Sequence, residues 1–131
     1  MTIEELKKRL EEIYKKVPEL KGCKRCGECC GPIWWSAAEE VVIREYMRRH
    51  GIEYKRATTI TRCPYLKEDN TCEIYEVRPL ICRLFGVVED LKCPRGAKPE
   101  RYLKTEEVIK LMAELAKLSV IAEREFLKKE G

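Results

Sequence analysis

The chain has no glutamine, a single asparagine (Asn70) and a single histidine (His50). Each scarcity closes off some chemistry. With one histidine, Ser-His-Asp and other imidazole-based catalysis has little to work with, and a metal site must find its donors elsewhere. Scarce side-chain amides beside abundant Glu, Lys and Arg resemble the composition of hyperthermophile proteins, whose cytosols are the exception in which intracellular disulfides persist. No apolar run is long enough to span a bilayer. No glycine-rich nucleotide loop follows a strand-like segment, and there is neither an internal repeat nor a low-complexity linker. Met1 to Lys8 carry acids where a secretion signal would have an apolar core, so the expected location is the cytoplasm.

At 131 residues the chain is expected to form a single domain over 1–131. Its net charge of +4 is mild, and both signs are spread along the whole length. That distribution suits solubility better than nucleic-acid binding, which gathers cations on one face. Neither a membrane nor a nucleic acid is therefore the expected partner; an unidentified protein is.

What the chain has in excess is cysteine. Cys23, Cys26, Cys29 and Cys30 fall within eight residues as Cys-x-x-Cys-x-x-Cys-Cys, and Cys63, Cys72, Cys82 and Cys93 follow singly. Eight cysteines could pair as disulfides in about 105 ways. Without a secretion signal, and with apolar residues enough for a core, the compartment logic favours metal. The close Cys-x-x-Cys steps also make better ligand spacers than disulfide spacers. Thiolates select soft or borderline ions: zinc, Cu(I), or iron in an iron–sulfur cluster. Structural zinc usually takes two Cys-x-x-Cys knuckles, whereas Cys-x-x-Cys-x-x-Cys is how a loop wraps a 4Fe–4S cubane, whose distant fourth cysteine is often followed by proline. Cys63-Pro64 and Cys93-Pro94 both have that form. Iron–sulfur is accordingly placed ahead of Zn²⁺, and both stay open.

Adjacent Cys29 and Cys30 point apart in an extended segment, which suits two centres better than one. Eight sulfurs divide evenly into two four-sulfur sites; a single centre beside structural thiols is the other option. Cations near the cysteines (Lys24, Arg25, Arg62, Arg78, Arg83, Lys92, Arg95) would lower thiol pKa, unless they are ordinary surface charge. Trp34 and Trp35 are expected to pack into the core, where they would also shield a centre from water. His50 is expected as a cation at a helix end, not a ligand.

Around this region the pattern predicts helices. Ile3, Leu6, Leu10, Ile13 and Val17 make one stripe over 2–16, opened by a Thr2–Glu5 capping box. Ser36 and Glu39 open a second helix over about 36–50 that ends at Gly51, with Val41, Val42, Tyr46 and Met47 facing inward. Residues 52–73 are the least helical, and a small β-hairpin through 68–70 is one option. Pro79 suits the first position of a short helix stopped by Gly86. Thr105 caps a last helix to about 129, with Val108, Leu111, Met112, Leu115, Leu118, Ala122 and Phe126 as its stripe. That stripe packs either within the chain or on a second copy, which would make a homodimer through the terminal helices. The expected fold is mainly α, with helices around a loop-borne metal site.

Cys23-x-x-Cys-Gly-x-Cys-Cys30, Cys63-Pro-Tyr-Leu, Cys72-Glu-Ile-Tyr-Glu-Val-Arg-Pro79 and Cys82-Arg83 together resemble the CxxCxxCC cysteine-cluster family, also called YkgJ-like and described as zinc- or iron-chelating. The resemblance covers about residues 23–95 and leaves the flanking helices, 1–17 and 105–129, outside it. It implies Cys23, Cys26, Cys29, Cys30, Cys63, Cys72 and Cys82 as ligands, with Cys93 completing eight. Tyr75, Arg78 and Pro79 match a segment that would frame the site. Leu84-Phe85-Gly86 stands where the family often has Phe-Pro. Flagellin lysine N-methylase carries a similar cluster, but the missing nucleotide loop argues against that activity here. The roles in view are electron transfer, redox sensing or cluster handling; a structural zinc module that mediates protein contacts; and a metalloenzyme with an open coordination position. No residue is singled out as catalytic.

Overall fold

The computed structural model describes residues 1–21, 34–55, 63–69, 71–93 and 96–127. The architecture is mainly helical, and no sheet or barrel forms among the described residues. Four α-helices follow in order: α1 (Ile3–Tyr14), α2 (Ala37–His50), α3 (Leu80–Leu84) and α4 (Thr105–Ala122). A 3₁₀ turn at Tyr75–Val77 leads into α3, and a wider π-helical turn at Glu123–Leu127 extends α4.

The helix ends follow from their capping chemistry. Thr2 accepts the Glu5 backbone N–H at the start of α1. Ser36 and Glu39 form the full reciprocal box that opens α2, and Gly51 closes it at φ 66°, with its N–H on Met47. Two starts differ from expectation. Pro79 stands just before the first turn of α3, because its extended backbone delivers the Leu80 N–H to a buried carboxylate. Thr105 is already helical: Lys104 takes the cap position, where the Glu107 carboxylate reaches back to its N–H at 3.1 Å.

Burial organises these helices around α2. On one side, Leu6, Leu10 and Ile13 of α1, Ala38 and Val42 of α2, Leu80 and Leu84 of α3, and Leu111, Leu115, Leu118 and Ala122 of α4 form the main core. Val87, Val88 and Leu103 close it from the loop between α3 and α4. The α4 stripe is thus an intrachain packing face, laid against α1 and α2. On the other side, Ile43 and Met47 pack with Cys63, Tyr65 and Ile74 into a smaller core. Ile43 is buried there although the sequence pattern had not marked it.

The segments between helices are tied by single bridges. The predicted hairpin shrinks to one antiparallel bridge, Leu66 with Cys72, flanked by Lys67 N–H to Thr71 O (2.8 Å) and Glu73 N–H to Tyr65 O (2.9 Å). Asp69 holds its turn by accepting the Thr71 hydroxyl at 2.6 Å and the Thr71 N–H at 3.1 Å, and those bonds, the hydroxyl's first, hold its carboxyl below the ordinary range. A second bridge, Lys21 with Lys98, is closed by a pair of backbone bonds at 2.9 and 3.0 Å. It fastens the end of the α1 segment to the loop ahead of α4. Of the β-prone stretches, 52–55 is irregular and 58–61 lies outside the described residues.

Candidate metal centre

Four of the eight candidate ligands, Cys23, Cys26, Cys29 and Cys30, lie outside the described residues, as do Lys24, Arg25, Arg62 and Arg95. The other four are free thiols. Cys63 and Cys72 flank the bridged turn, Cys82 rides on α3, and Cys93 lies in the segment between α3 and α4.

Three of them share an electrostatic neighbourhood. Burial is the main cause that pushes the Cys82 thiol up to about 12, and Cys63 and Cys72 push it further in the same direction. Cys72 is raised by burial and then by Cys63. These effects involve three cysteines from separate segments, which the fold brings toward one region. Cys93 is not among the principal groups acting on them. Among the described residues alone, no three donors converge tightly enough to hold an ion.

The surroundings of the thiols matter as much as their spacing. Burial raises Cys63, but the backbone N–H groups of Tyr65 and Leu66 and the Lys55 ammonium pull the other way. At Cys72 the Ile74 N–H and Arg78 oppose the rise. Amide N–H groups turned toward sulfur favour the thiolate over the thiol. Metal-bound thiolates call for outer support of this kind. The donor set present, soft thiols with amide dipoles and cations nearby, therefore fits zinc or iron.

Rigid aromatic packing holds this region. Tyr65 is fully buried, accepts the Lys55 N–H at 2.8 Å and donates to the Lys55 carbonyl at 3.1 Å. That pair pins 52–55 to the Cys63 turn. Trp35 lies against Tyr65 (centroids 6.2 Å) and Tyr54 (6.4 Å), covering the smaller core. Trp34, expected in the core, is 58% exposed; with Trp35 turned inward, its neighbour in an extended segment faces away. His50 is exposed at the end of α2 and packs on Tyr46 (4.1 Å). Of the framework residues, Arg78 stacks on Tyr75 at 4.0 Å and Pro79 is buried.

Sequence reasoning missed the polar knot behind Cys82. Glu39, read only as a cap, is 2% exposed. One carboxylate oxygen accepts from Ser36 N–H (3.1 Å) and Oγ (3.0 Å); the other accepts from Tyr14 Oη (2.7 Å) and Leu80 N–H (2.6 Å). A single side chain thus joins α1, the start of α2 and the start of the helix carrying Cys82. Burial and Glu39 hold the Tyr14 hydroxyl well above its ordinary pKa. The only sequence hint was a capping glutamate on the inward face of its helix.

No described helix is long and apolar enough to cross a membrane. No curated protein and no solved structure matches this chain. A family profile matches residues 22–110, a span that contains all eight cysteines. Its description is "putative zinc- or iron-chelating domain", and the chain belongs to that family, CxxCxxCC.

Proposed function

We propose that this protein holds one or two metal centres made entirely of cysteine thiolates, built from Cys23, Cys26, Cys29 and Cys30 with Cys63, Cys72 and Cys82, and with Cys93 as the eighth sulfur. The observation that carries this reading is the gathering of thiols: Cys63 and Cys72 meet at the smaller core and both act on Cys82, while the backbone N–H groups of Tyr65 and Leu66 at Cys63, and of Ile74 at Cys72, favour the thiolate. Such groups add little to a protonated thiol and much to a thiolate. A bound cation supplies the charge that makes ionising neighbouring buried thiols favourable, and it releases their protons as it binds. Four thiolates leave a Zn²⁺ site at a net charge of roughly −2, which the amide groups, Lys55 and Arg78 would offset.

Iron–sulfur is placed ahead of zinc because of the Cys-x-x-Cys-x-x-Cys spacing and the Cys-Pro pairs. The role would then be electron transfer, redox sensing or cluster handling in the cytoplasm. A structural zinc module is favoured by a different observation: Cys63 belongs to the smaller core and Cys72 packs against it. Metal there would be part of the folding free energy.

Anaerobic purification with an absorption spectrum and iron, zinc and labile-sulfide analysis tests the proposal. Brown protein with equal iron and sulfide supports the cluster. Colourless protein with integral zinc supports the structural module. Protein that takes up neither metal overturns both.

A further inference from the structure

The helix that carries Cys82 is only five residues long, Leu80–Leu84. A helix so short makes few bonds of its own, so its place is fixed from outside. Its start has no local cap, because Pro79 at the cap position makes no side-chain bond to it. Buried N–H groups in a helix's first turn need an acceptor. The Leu80 N–H finds one on Glu39 Oε2, 41 positions earlier, in a buried bond of 2.6 Å. A carboxylate of α2 thus caps α3 across the core.

That carboxylate is itself held in one place. Ser36 N–H and Oγ engage Oε1, and the Tyr14 hydroxyl joins the Leu80 N–H on Oε2. The cap on Leu80 therefore has a fixed origin in α1 and α2. Leu80 and Leu84, one turn apart on one face of α3, are buried in the main core. Cys82 stands midway between them on the opposite face of the helix, and there Cys63 and Cys72 act on its thiol.

We infer that Glu39 is a positioning residue for the metal centre: by capping α3 from α2, it sets where the Cys82 sulfur stands relative to Cys63 and Cys72. The inference rests on Cys82 being a ligand, as proposed above. Glu39 is not itself a donor to the metal. What it supplies is reach, one oxygen closing the cap of α2 while the other spans to Leu80. Losing a group that orients a metal ligand typically lowers metal affinity by about 10–100-fold.

The test strips the full chain of metal under anaerobic, reducing conditions and titrates it with Co²⁺, and with Zn²⁺ against a chromophoric chelator. Glu39→Asp keeps the charge but is one methylene too short to serve Ser36 and Leu80 together. Glu39→Met keeps the length but accepts from neither. Each should weaken Zn²⁺ binding by about tenfold or more and lower the sulfur-to-cobalt charge-transfer absorption; if one fails to fold, the other carries the test. Glu39→Gln, with the length and an acceptor for Leu80, should restore affinity to within about threefold of the parent. Leu111→Ala destabilises the main core by lost volume and should keep the parent's affinity and cobalt spectrum, which separates positioning from general loss of stability. Parent-like affinity and spectrum in a folded Asp or Met variant overturn the inference and leave the metal reading standing. Glu39→Gln as weak as Glu39→Asp, or Leu111→Ala as weak as either, also overturns it. A parent chain that takes up neither Co²⁺ nor Zn²⁺ overturns both.

Discussion

Replacing Glu39 by alanine tests whether one buried carboxylate locks the helices together. Glu39 is 2% exposed and receives four hydrogen bonds. Its loss leaves the Leu80 N–H and the Tyr14 hydroxyl without an acceptor, at about 1–3 kcal/mol each. The cap of α2 loses its reciprocal half, and a small cavity opens behind α3. The total is roughly 3–5 kcal/mol, a large share of the ~5–15 kcal/mol that holds a typical domain together. Urea unfolding followed by circular dichroism, at fixed metal content because bound metal adds its own stabilisation, reads this directly. Tyr14→Phe alone should cost only about 1 kcal/mol, since three donors remain on the carboxylate. The double variant should then be milder than the sum by about 1–2 kcal/mol, because the orphaned hydroxyl is gone. A loss below about 1 kcal/mol for Glu39→Ala, or strict additivity in the cycle, would refute this account of the knot.

Cys82→Ser should reduce bound metal and stability together, as elemental analysis and thermal melts would show, whereas Cys93→Ser should retain more metal because Cys93 is not among the principal groups acting on the other three thiols. In metal-free protein the fold keeps the Cys82 proton to about pH 12, against 9.0 for an ordinary thiol. Stability from that proton is therefore complete below about pH 9 and drains away as pH rises from 9 toward 12, so calorimetry should show melting fall across that window and Cys82→Ser should flatten the fall. Gly86 has φ 89°, and a Cβ there would meet Leu20 Cδ2 at 2.9 Å. Gly86→Ala should thus cost more, about 1–3 kcal/mol in urea unfolding, than Gly51→Ala, which has φ 66° but open space. Equal losses at the two glycines would show that Leu20 yields freely.

The helices were legible where local chemistry and burial agree. Ser36–Glu39 and Gly51 bound α2 as their types require, and the stripe from Leu111 to Ala122 is the buried face of α4. The Cys63–Ile74 turn was legible in kind but not in extent, since Asp69 closes the turn with its own side chain and one bridge suffices. Trp34 and Trp35 show the limit of composition: equal hydrophobicity, opposite burial, decided by which way consecutive side chains point. At the metal region the residue types announced soft-ion chemistry. Which thiols meet depended on α3 being pinned by Glu39 from 41 positions away, and no spacing rule records that contact. The Arg83–Tyr14 stack is equally non-local, joining α3 to α1.

The two cores on either side of α2 are unequal, and the difference bears on how the molecule opens. The larger gathers side chains from four helices, while the smaller rests on five buried residues, two of them from α2 itself. Regions with few buried contacts and short-range backbone bonding unfold locally at a lower free energy than the whole. Amides at 63–69 and 71–74 would thus exchange with solvent through a sub-global opening that leaves α1 and α4 protected. An ion held at Cys63 and Cys72 would close that opening by mass action. Loading and loss of metal would then follow the breathing of one corner of the molecule, not its complete unfolding.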